Sequence, residues 1–223
     1  MPLLLLVRHG ETDWNRTGQI MGARPVPLNE AGQAQARRLA GLLRSWFHPT
    51  AAGKPAGRRS LLDVGAHDPR TQRLITSPVV RTRQTADILS EGLHLHPCLD
   101  EGLSEIGVGE WEGRYWRDLS DDPIRRNFYS LPSEACPPGG ETLRTVQARA
   151  VAAVERAGAG ESAKIVVAVS HVDVIRAVVA HYLRLDIIQT RGMTIDHASL
   201  TALDLNIPSE PRLLCLNFVP LET

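Results

Sequence analysis

A chain of 223 residues, 43% of them hydrophobic and 22% charged, carries enough apolar side chain to bury the core of one large α/β domain, which excludes global disorder. Lysine plus arginine equals aspartate plus glutamate at 25 each, so no net field draws it to nucleic acid or an anionic membrane, and any anion site has to be local. Cys98, Cys136 and Cys215 have neither metal-ligand nor Cys-x-x-Cys spacing and read as thiols of a reducing, cytoplasmic compartment. The apolar run at 3–7 has no basic region before it and is too short for a signal-peptide core or a membrane span.

In chain order, that run of four leucines and a valine predicts a strand buried on both faces of a mainly parallel sheet. Asn29 is a candidate N-cap for a helix reaching Phe47, with Leu39, Leu42, Leu43, Trp46 and Phe47 forming one apolar stripe. From 48 to 72 the pattern dissolves into Pro, Gly, Ala and Arg and reads as a surface loop insertion. Leu74, Ile75 and Thr76 make a short strand, and Pro78 opens a helix to about Glu91. An extended segment at 93–99 is followed by a glycine-rich acidic loop at 100–113 and short helices over 114–130. Gly139 and Gly140 precede a helix from Glu141 to Ala157. The clearest strand is 164–170, rich in β-branched residues, and a helix from Val172 to Leu185 follows it. Strands at 199–205 and 213–219 pair as a hairpin across a turn containing Pro208. The alternation predicts a three-layer α/β/α sandwich in a single domain, 1–223, with the segment 100–140 as a cap over the site.

In open α/β sheets, ligands bind beyond the carboxyl ends of the strands. Three such ends carry chemistry here: Arg8 and His9, Arg81 after Ser77 and Pro78, and Ser170 and His171. Either histidine alone reads more readily as a core imidazole bonded to backbone. Two of them with strand-end arginines favour a pocket for a dianion, since burying several cationic groups without an anion is costly. No His-x-x-x-His or His-Glu-x-x-His spacing supports a metal site, and no cofactor motif is present. Asp100, Glu101, Glu105, Glu110 and Glu112 share one loop, and residue chemistry alone does not choose an acid among them.

The run Leu6-Val7-Arg8-His9-Gly10-Glu11-Thr12-Asp13-Trp14-Asn15 resembles the signature of the histidine phosphatase superfamily, the phosphoglycerate-mutase-like fold. The likeness continues in order through Pro27-Leu28-Asn29-Glu30 with Gly32, Gln35 and Ala36, then Ser77-Pro78 with Arg81, Gln84, Thr85 and Ala86. Leu103, Glu105, Gly109, Trp111-Glu112-Gly113, Pro138-Gly139-Gly140-Glu141-Thr142 and Val169-Ser170-His171 complete it. Six ordered matches over most of the chain are specific, and the 48–72 stretch lies outside them.

The resemblance implies His9 as the nucleophile, with Arg8, Arg81 and His171 holding the phosphate oxygens and Glu105 as general acid and base. Asn15 and Thr17 follow the first motif, as pocket lining or as loop support. The family commonly has glycine after the last histidine. Val172 stands there, leaving a backbone donor for phosphate but narrowing the approach. Thr82 replaces a common alanine after Arg81. His181 and His197 belong to no motif and read as structural or exposed.

The implied activity is metal-independent hydrolysis of a small phosphorylated metabolite through phosphohistidine. Residues 105–113 resemble the phosphatase branch rather than the mutases. Against this, Arg125-Arg126-Asn127-Phe128-Tyr129 is faintly similar to a mutase segment that grips a carboxylate. Phosphoglycerate-mutase-type transfer and a non-catalytic phospho-ligand binding module are the alternatives. Neither nucleic acid nor membrane is an expected partner, and a homodimer is one option for the assembly.

Overall fold

The computed structural model describes residues 3–47, 71–128, 130–159 and 163–220. Among these residues six strands form one sheet: β1 (Leu3–Arg8), β2 (Gln72–Thr76), β3 (Pro97–Leu99), β4 (Ile165–Ser170), β5 (Leu200–Asp204) and β6 (Arg212–Phe218). Their order is β3-β2-β4-β1-β5-β6. The β3-β2, β2-β4 and β4-β1 pairs are parallel, whereas β5 runs antiparallel to β1 and β6 antiparallel to β5.

Leucine is a modest strand former, yet β1 holds four in a row, all buried. Burying each is worth about 2 kcal/mol, while the whole strand-propensity scale spans about 1 kcal/mol, so burial decides. Side chains alternate between two cores. Leu4, Leu6, Val166 and Ala168 face α5 (Leu143–Ala157) and α6 (Val172–Tyr182). Leu3, Leu5, Val7, Val167 and Val169 face α2 (Glu30–Phe47) and α3 (Val80–Leu93). The result is the expected three-layer sandwich with a mainly parallel sheet.

Several boundaries differ from the sequence expectation. A short helix α1 (Asp13–Thr17) follows the first motif, nucleated by a Thr12–Asn15 capping box. Pro78 lies before α3 rather than in its first turn, because Val79 is the extended N-cap residue. That helix runs on through Leu93, whose side chain is fully buried, and His94 closes it in the left-handed conformation, so only Pro97–Leu99 of the expected extended segment pairs. Thr142, not Glu141, stands at the start of α5, its hydroxyl accepting from Thr145 N. The helix α6 stops at Tyr182, and Arg184 adopts a positive φ of 55°. The loop insertion falls largely outside the described residues, and its last residue, Gln72, begins β2.

Among its described residues the stretch 100–140 is loop interrupted by short 3-10 turns and α4 (Pro123–Asn127). Leu103, Ile106, Val108, Trp111, Leu119 and Phe128 sink into the α5/α6 core, so its inner side is part of the hydrophobic interior. Among the described residues no helix is long and apolar enough to cross a membrane.

Candidate active site

The three chemistry-bearing strand ends are neighbours because β1, β4 and β2 are adjacent and parallel. Arg8 pairs with Ser170, His9 N donates to Ser170 O at 3.0 Å, and Ser77 N donates to Val169 O at 3.1 Å. His9 therefore leaves β1 beside His171, the N-cap residue of α6, with Arg81 reaching in from the first turn of α3.

The loop after β1 is held by residues of the other motifs. Gly10 N donates to Thr85 Oγ1, Glu11 N to Gln35 Oε1, and Asn29 Nδ2 to Glu11 Oε1 at 2.7 Å. Leu28 N donates to Gln84 Oε1. A Cβ on Gly10 would strike the Gly32 carbonyl, and one on Gly32 would strike the Glu11 backbone. Only two glycines permit this approach of loop to helix. The motif residues outside the site thus act by fixing where His9 stands.

His9 is 1% exposed, and Arg81 and His171 are fully buried. His9 Nδ1 lies 2.7 Å from its neighbour's carbonyl, Gly10 O, which places the proton on Nδ1. Nε2 then carries the lone pair, and Arg81 Nε donates to it at 3.3 Å. Burial, Arg81 and Arg8 hold the His9 imidazole well below its ordinary pKa, so it is neutral. Arg81 also donates from Nη2 to Gly22 O at 2.8 Å and to His171 Nδ1 at 3.1 Å. A guanidinium only donates, so His171 Nδ1 accepts and its Nε2 proton faces Ser77 Oγ at 3.0 Å.

Burial lowers Arg81 to about 10 and lowers Arg8 as well, although Glu105 opposes both shifts. Arg8 Nη1 donates to Ile195 O at 2.7 Å, while its Nε is buried with no hydrogen-bond partner. Two partly desolvated cations and an orphaned donor at one spot fit an anion.

Glu105 stands across from this group, Oε2 lying 3.6 Å from His171 Nδ1 and Oε1 accepting from Ile106 N at 3.0 Å. Burial and then Asp173 raise its carboxyl to about 7, against the pull of Arg81. Arg149 of α5 fixes its loop. One guanidinium donates to Gly102 O, Ser104 O and Glu105 O and grips the Glu141 carboxylate at 2.8 Å. Burial favours protonation of Glu141, but Arg149 and the Gly107 N–H outweigh it and hold the acid below the usual carboxylate range.

A cavity of about 130 Å³ reaches this cluster. Arg8, His9, Asn15, Glu105 and Val172 line its polar end, and Trp14, Ile20, Val108, Trp111, Trp116 and Phe128 its walls. Asn15 lines the cavity while its Oδ1 accepts from Thr12 N, so the two roles left open by the sequence coincide. Thr17 does not line it: the side chain is exposed and its hydroxyl reaches Trp14 O at 3.4 Å. His197, expected to be structural or exposed, sits with its ring 5.9 Å from that of His9 and its Nε2 buried without a partner. Burial and Arg8 lower it to about 4. His181 is remote from the site, packed edge-on against Tyr182 at 5.0 Å. Sequence reasoning missed Arg149 and Asp173; a single arginine on a helix carries no local signal of the carbonyls it will meet.

The chain as a whole is similar to known proteins. The chain is 28% identical over 204 residues to an adenosylcobalamin/alpha-ribazole phosphatase of Salmonella typhimurium, covering 91% of this chain and 90% of that one. A probable phosphoglycerate mutase of Cronobacter sakazakii is 31% identical over 146 residues, 65% of this chain and 57% of that one. Among solved structures, a mycobacterial glucosyl-3-phosphoglycerate phosphatase in complex with VO3 superposes with a TM-score of 0.76 at 26% identity, covering 97% and 99% of the two chains. The family model described as histidine phosphatase superfamily (branch 1) matches residues 4–52 and 56–218, and the chain belongs to that superfamily.

Proposed function

We propose that the protein hydrolyses the phosphomonoester of a small metabolite through a phosphohistidine on His9, without a metal. His9 Nε2 attacks phosphorus in line with the ester oxygen, the P–O bond to the alcohol breaks, and Glu105 gives its proton to the departing oxygen. Water then attacks phosphorus as Glu105 takes back a proton from it, the P–N bond to His9 Nε2 breaks, and inorganic phosphate leaves a neutral imidazole. Arg8, Arg81 and His171 surround the transferring oxygens, and the first backbone amide of α6, that of Val172, adds a donor at a helix start. The observation that carries this reading is the neutral His9, which lines the cavity with Arg8 and Glu105 and whose Nε2 lone pair accepts from the Arg81 guanidinium buried behind it.

The experiment is turnover of an aryl phosphate by the full chain with a metal chelator present. Hydrolysis that persists with chelator, is abolished in a folded His9→Ala variant, and leaves acid-labile phosphate on the enzyme supports the reading. Activity surviving His9→Ala, or abolished by the chelator, overturns it. Phosphate binding without turnover of any ester points instead to a binding module. Arg125 beside the adjoining hollow favours mutase-type transfer as a second reading. Bisphosphoglycerate plus 3-phosphoglycerate giving 2-phosphoglycerate faster than free phosphate would establish it.

A further inference from the structure

The Arg81 guanidinium meets two imidazoles and also two backbone carbonyls. Nη2 donates to Gly22 O at 2.8 Å and Nη1 to Arg24 O at 3.2 Å, while Nε reaches His9 Nε2. A guanidinium is planar and its donors form a rigid fork, so these carbonyls fix the plane in which the donors are aimed. The turn that supplies them, residues 22–24, lies between α1 and α2 and outside any helix or strand. Whatever holds that turn helps to decide where Arg81 points.

Glu112 holds it from the cap. Its Oε1 accepts from Ala23 N at 3.1 Å, and its Oε2 lies 3.4 Å from Arg24 Nε. A Cβ on Gly22, whose φ is +51°, would strike Glu112 Oε1 and Val108 Cγ2, so the carboxylate is seated against the turn. The backbone on either side of the turn and of Glu112 is tied together as well. Gly113 N donates to Ile20 O and Ile20 N to Arg114 O, both at 2.8 Å, and Gln19 Nε2 donates to Gly113 O at 2.9 Å. Trp111, buried beside Glu112, anchors this segment in the core. Glu112 is not among the residues that line the cavity, so it does not share the role of Glu105. The ion pair with Arg24 is exposed and worth little. The bond from a backbone N–H to a carboxylate is the directional, charge-assisted one.

We propose that Glu112 is a positioning residue for phosphoryl transfer: its Oε1 fixes the 22–24 turn, the carbonyls of that turn fix the Arg81 guanidinium, and the cap thereby sets the aim of Arg81 at the phosphoryl group. The inference goes beyond the hydrolase reading and rests on it for the turnover readout. Glu112 also presents charge to Arg81: burial lowers Arg81, Glu105 opposes that most, and Glu112 opposes it less. Position and charge make opposite demands on a substitution, which separates them.

The test compares Glu112→Gln, which keeps an oxygen acceptor for Ala23 N and drops the charge, with Glu112→Asp, which keeps the charge and withdraws the oxygen by one methylene. We expect Glu112→Gln to stay close to the parent and Glu112→Asp to lose roughly tenfold in kcat/KM on an aryl phosphate, the worth of one hydrogen bond to a charged group. Vanadate adopts the five-coordinate geometry of the transferring group, so its Ki should rise by the same factor in Glu112→Asp, and that of inorganic phosphate by less. In an Arg81→Lys background, where the planar fork is gone, Glu112→Asp should cost nothing further. Glutamine impaired as much as aspartate, or more, would make charge the cause and overturn the positioning role. Parental kinetics in both folded variants, or losses that add to that of Arg81→Lys, would overturn it too. If the parent hydrolyses no ester the hydrolase reading falls, and the rise in Tm on adding vanadate judges Glu112 instead. A smaller rise in Glu112→Asp than in the parent supports the brace, and an equal rise removes it.

Discussion

At the scale of single residues, Glu105 concentrates the conflict between folding and chemistry. Its carboxyl is raised to about 7, by burial first and by Asp173 second, so the folded state prefers the protonated form. A buried acid whose folded pKa lies above its unfolded value contributes stability below the unfolded pKa and loses it as pH rises through the folded one. Glu105→Gln, permanently neutral, should therefore be more stable than the parent by about 1–3 kcal/mol near pH 8 and no more stable near pH 4. Thermal melts at the two pH values check this; equal gains at both would mean the effect is not ionisation. The same variant should slow alkyl phosphates far more than aryl phosphates, because a good leaving group needs little proton assistance. Phosphorylation of His9 by an alkyl ester should correspondingly decline as pH rises through about 7, read in a single-turnover experiment. Equal losses on both ester types, or a flat profile, would point to a different acid.

At the scale of elements, the site depends on two junctions rather than on any one strand or helix. The first is the contact of the β1 loop with the start of α2, where Gly10 and Gly32 allow backbone to touch backbone. Gly32→Ala should cost about 1–3 kcal/mol as an overpacked contact and displace the His9 loop. A variant that keeps parental kcat and Tm would show that the loop shifts freely. The second junction is Arg149, which ties the Glu105 loop to α5 by satisfying three carbonyls and Glu141. Arg149→Met keeps the stem but leaves those carbonyls and a carboxylate without their donor. A loss of about 1 kcal/mol is expected for a pair that is only part-buried, with kcat reduced while Arg149→Lys recovers only part. Recovery in full by lysine would reduce the role to charge alone.

At the scale of the whole molecule, two desolvated cations, Arg8 and Arg81, weaken the fold until an anion joins them. Burial lowers both Arg8 and Arg81, and Arg8 Nε has no partner. Inorganic phosphate should therefore raise Tm in a concentration-dependent way, reaching about 2.7 kcal/mol of added stability at a hundredfold excess over Kd. Arg81→Met should abolish that increment and, lacking a desolvated charge, raise the phosphate-free Tm or leave it as it was. No phosphate-dependent shift in the parent would contradict an anion site here.

Much of this was legible before any coordinates. The apolar run at 3–7, the β-branched run at 165–169 and the apolar stripe of α2 are local patterns whose physical cause, burial on a defined face, is written in residue order. His9, Arg8, Arg81, His171 and Glu105 were expected from ordered motifs; in the structure Arg8, His9 and Glu105 line one cavity, and Arg81 and His171 are buried against His9 without lining it. The helix α1 was not, because a single turn rests on one capping box rather than on periodicity. The nearness of His197 to His9 was not legible for another reason: the two are far apart in sequence and are joined through Ala198 N donating to His9 O at 3.1 Å.

Order along the chain thus determined which segments become strands and helices and which side chains carry chemistry, since backbone preference and the hydrophobic period act over a few residues. Only the tertiary structure decided protonation and reach: that His9 is neutral, that Glu105 is pushed upward, and that Arg149 clamps its loop. Desolvation and Coulomb interaction depend on distance through space, and adjacency in sequence does not specify that distance.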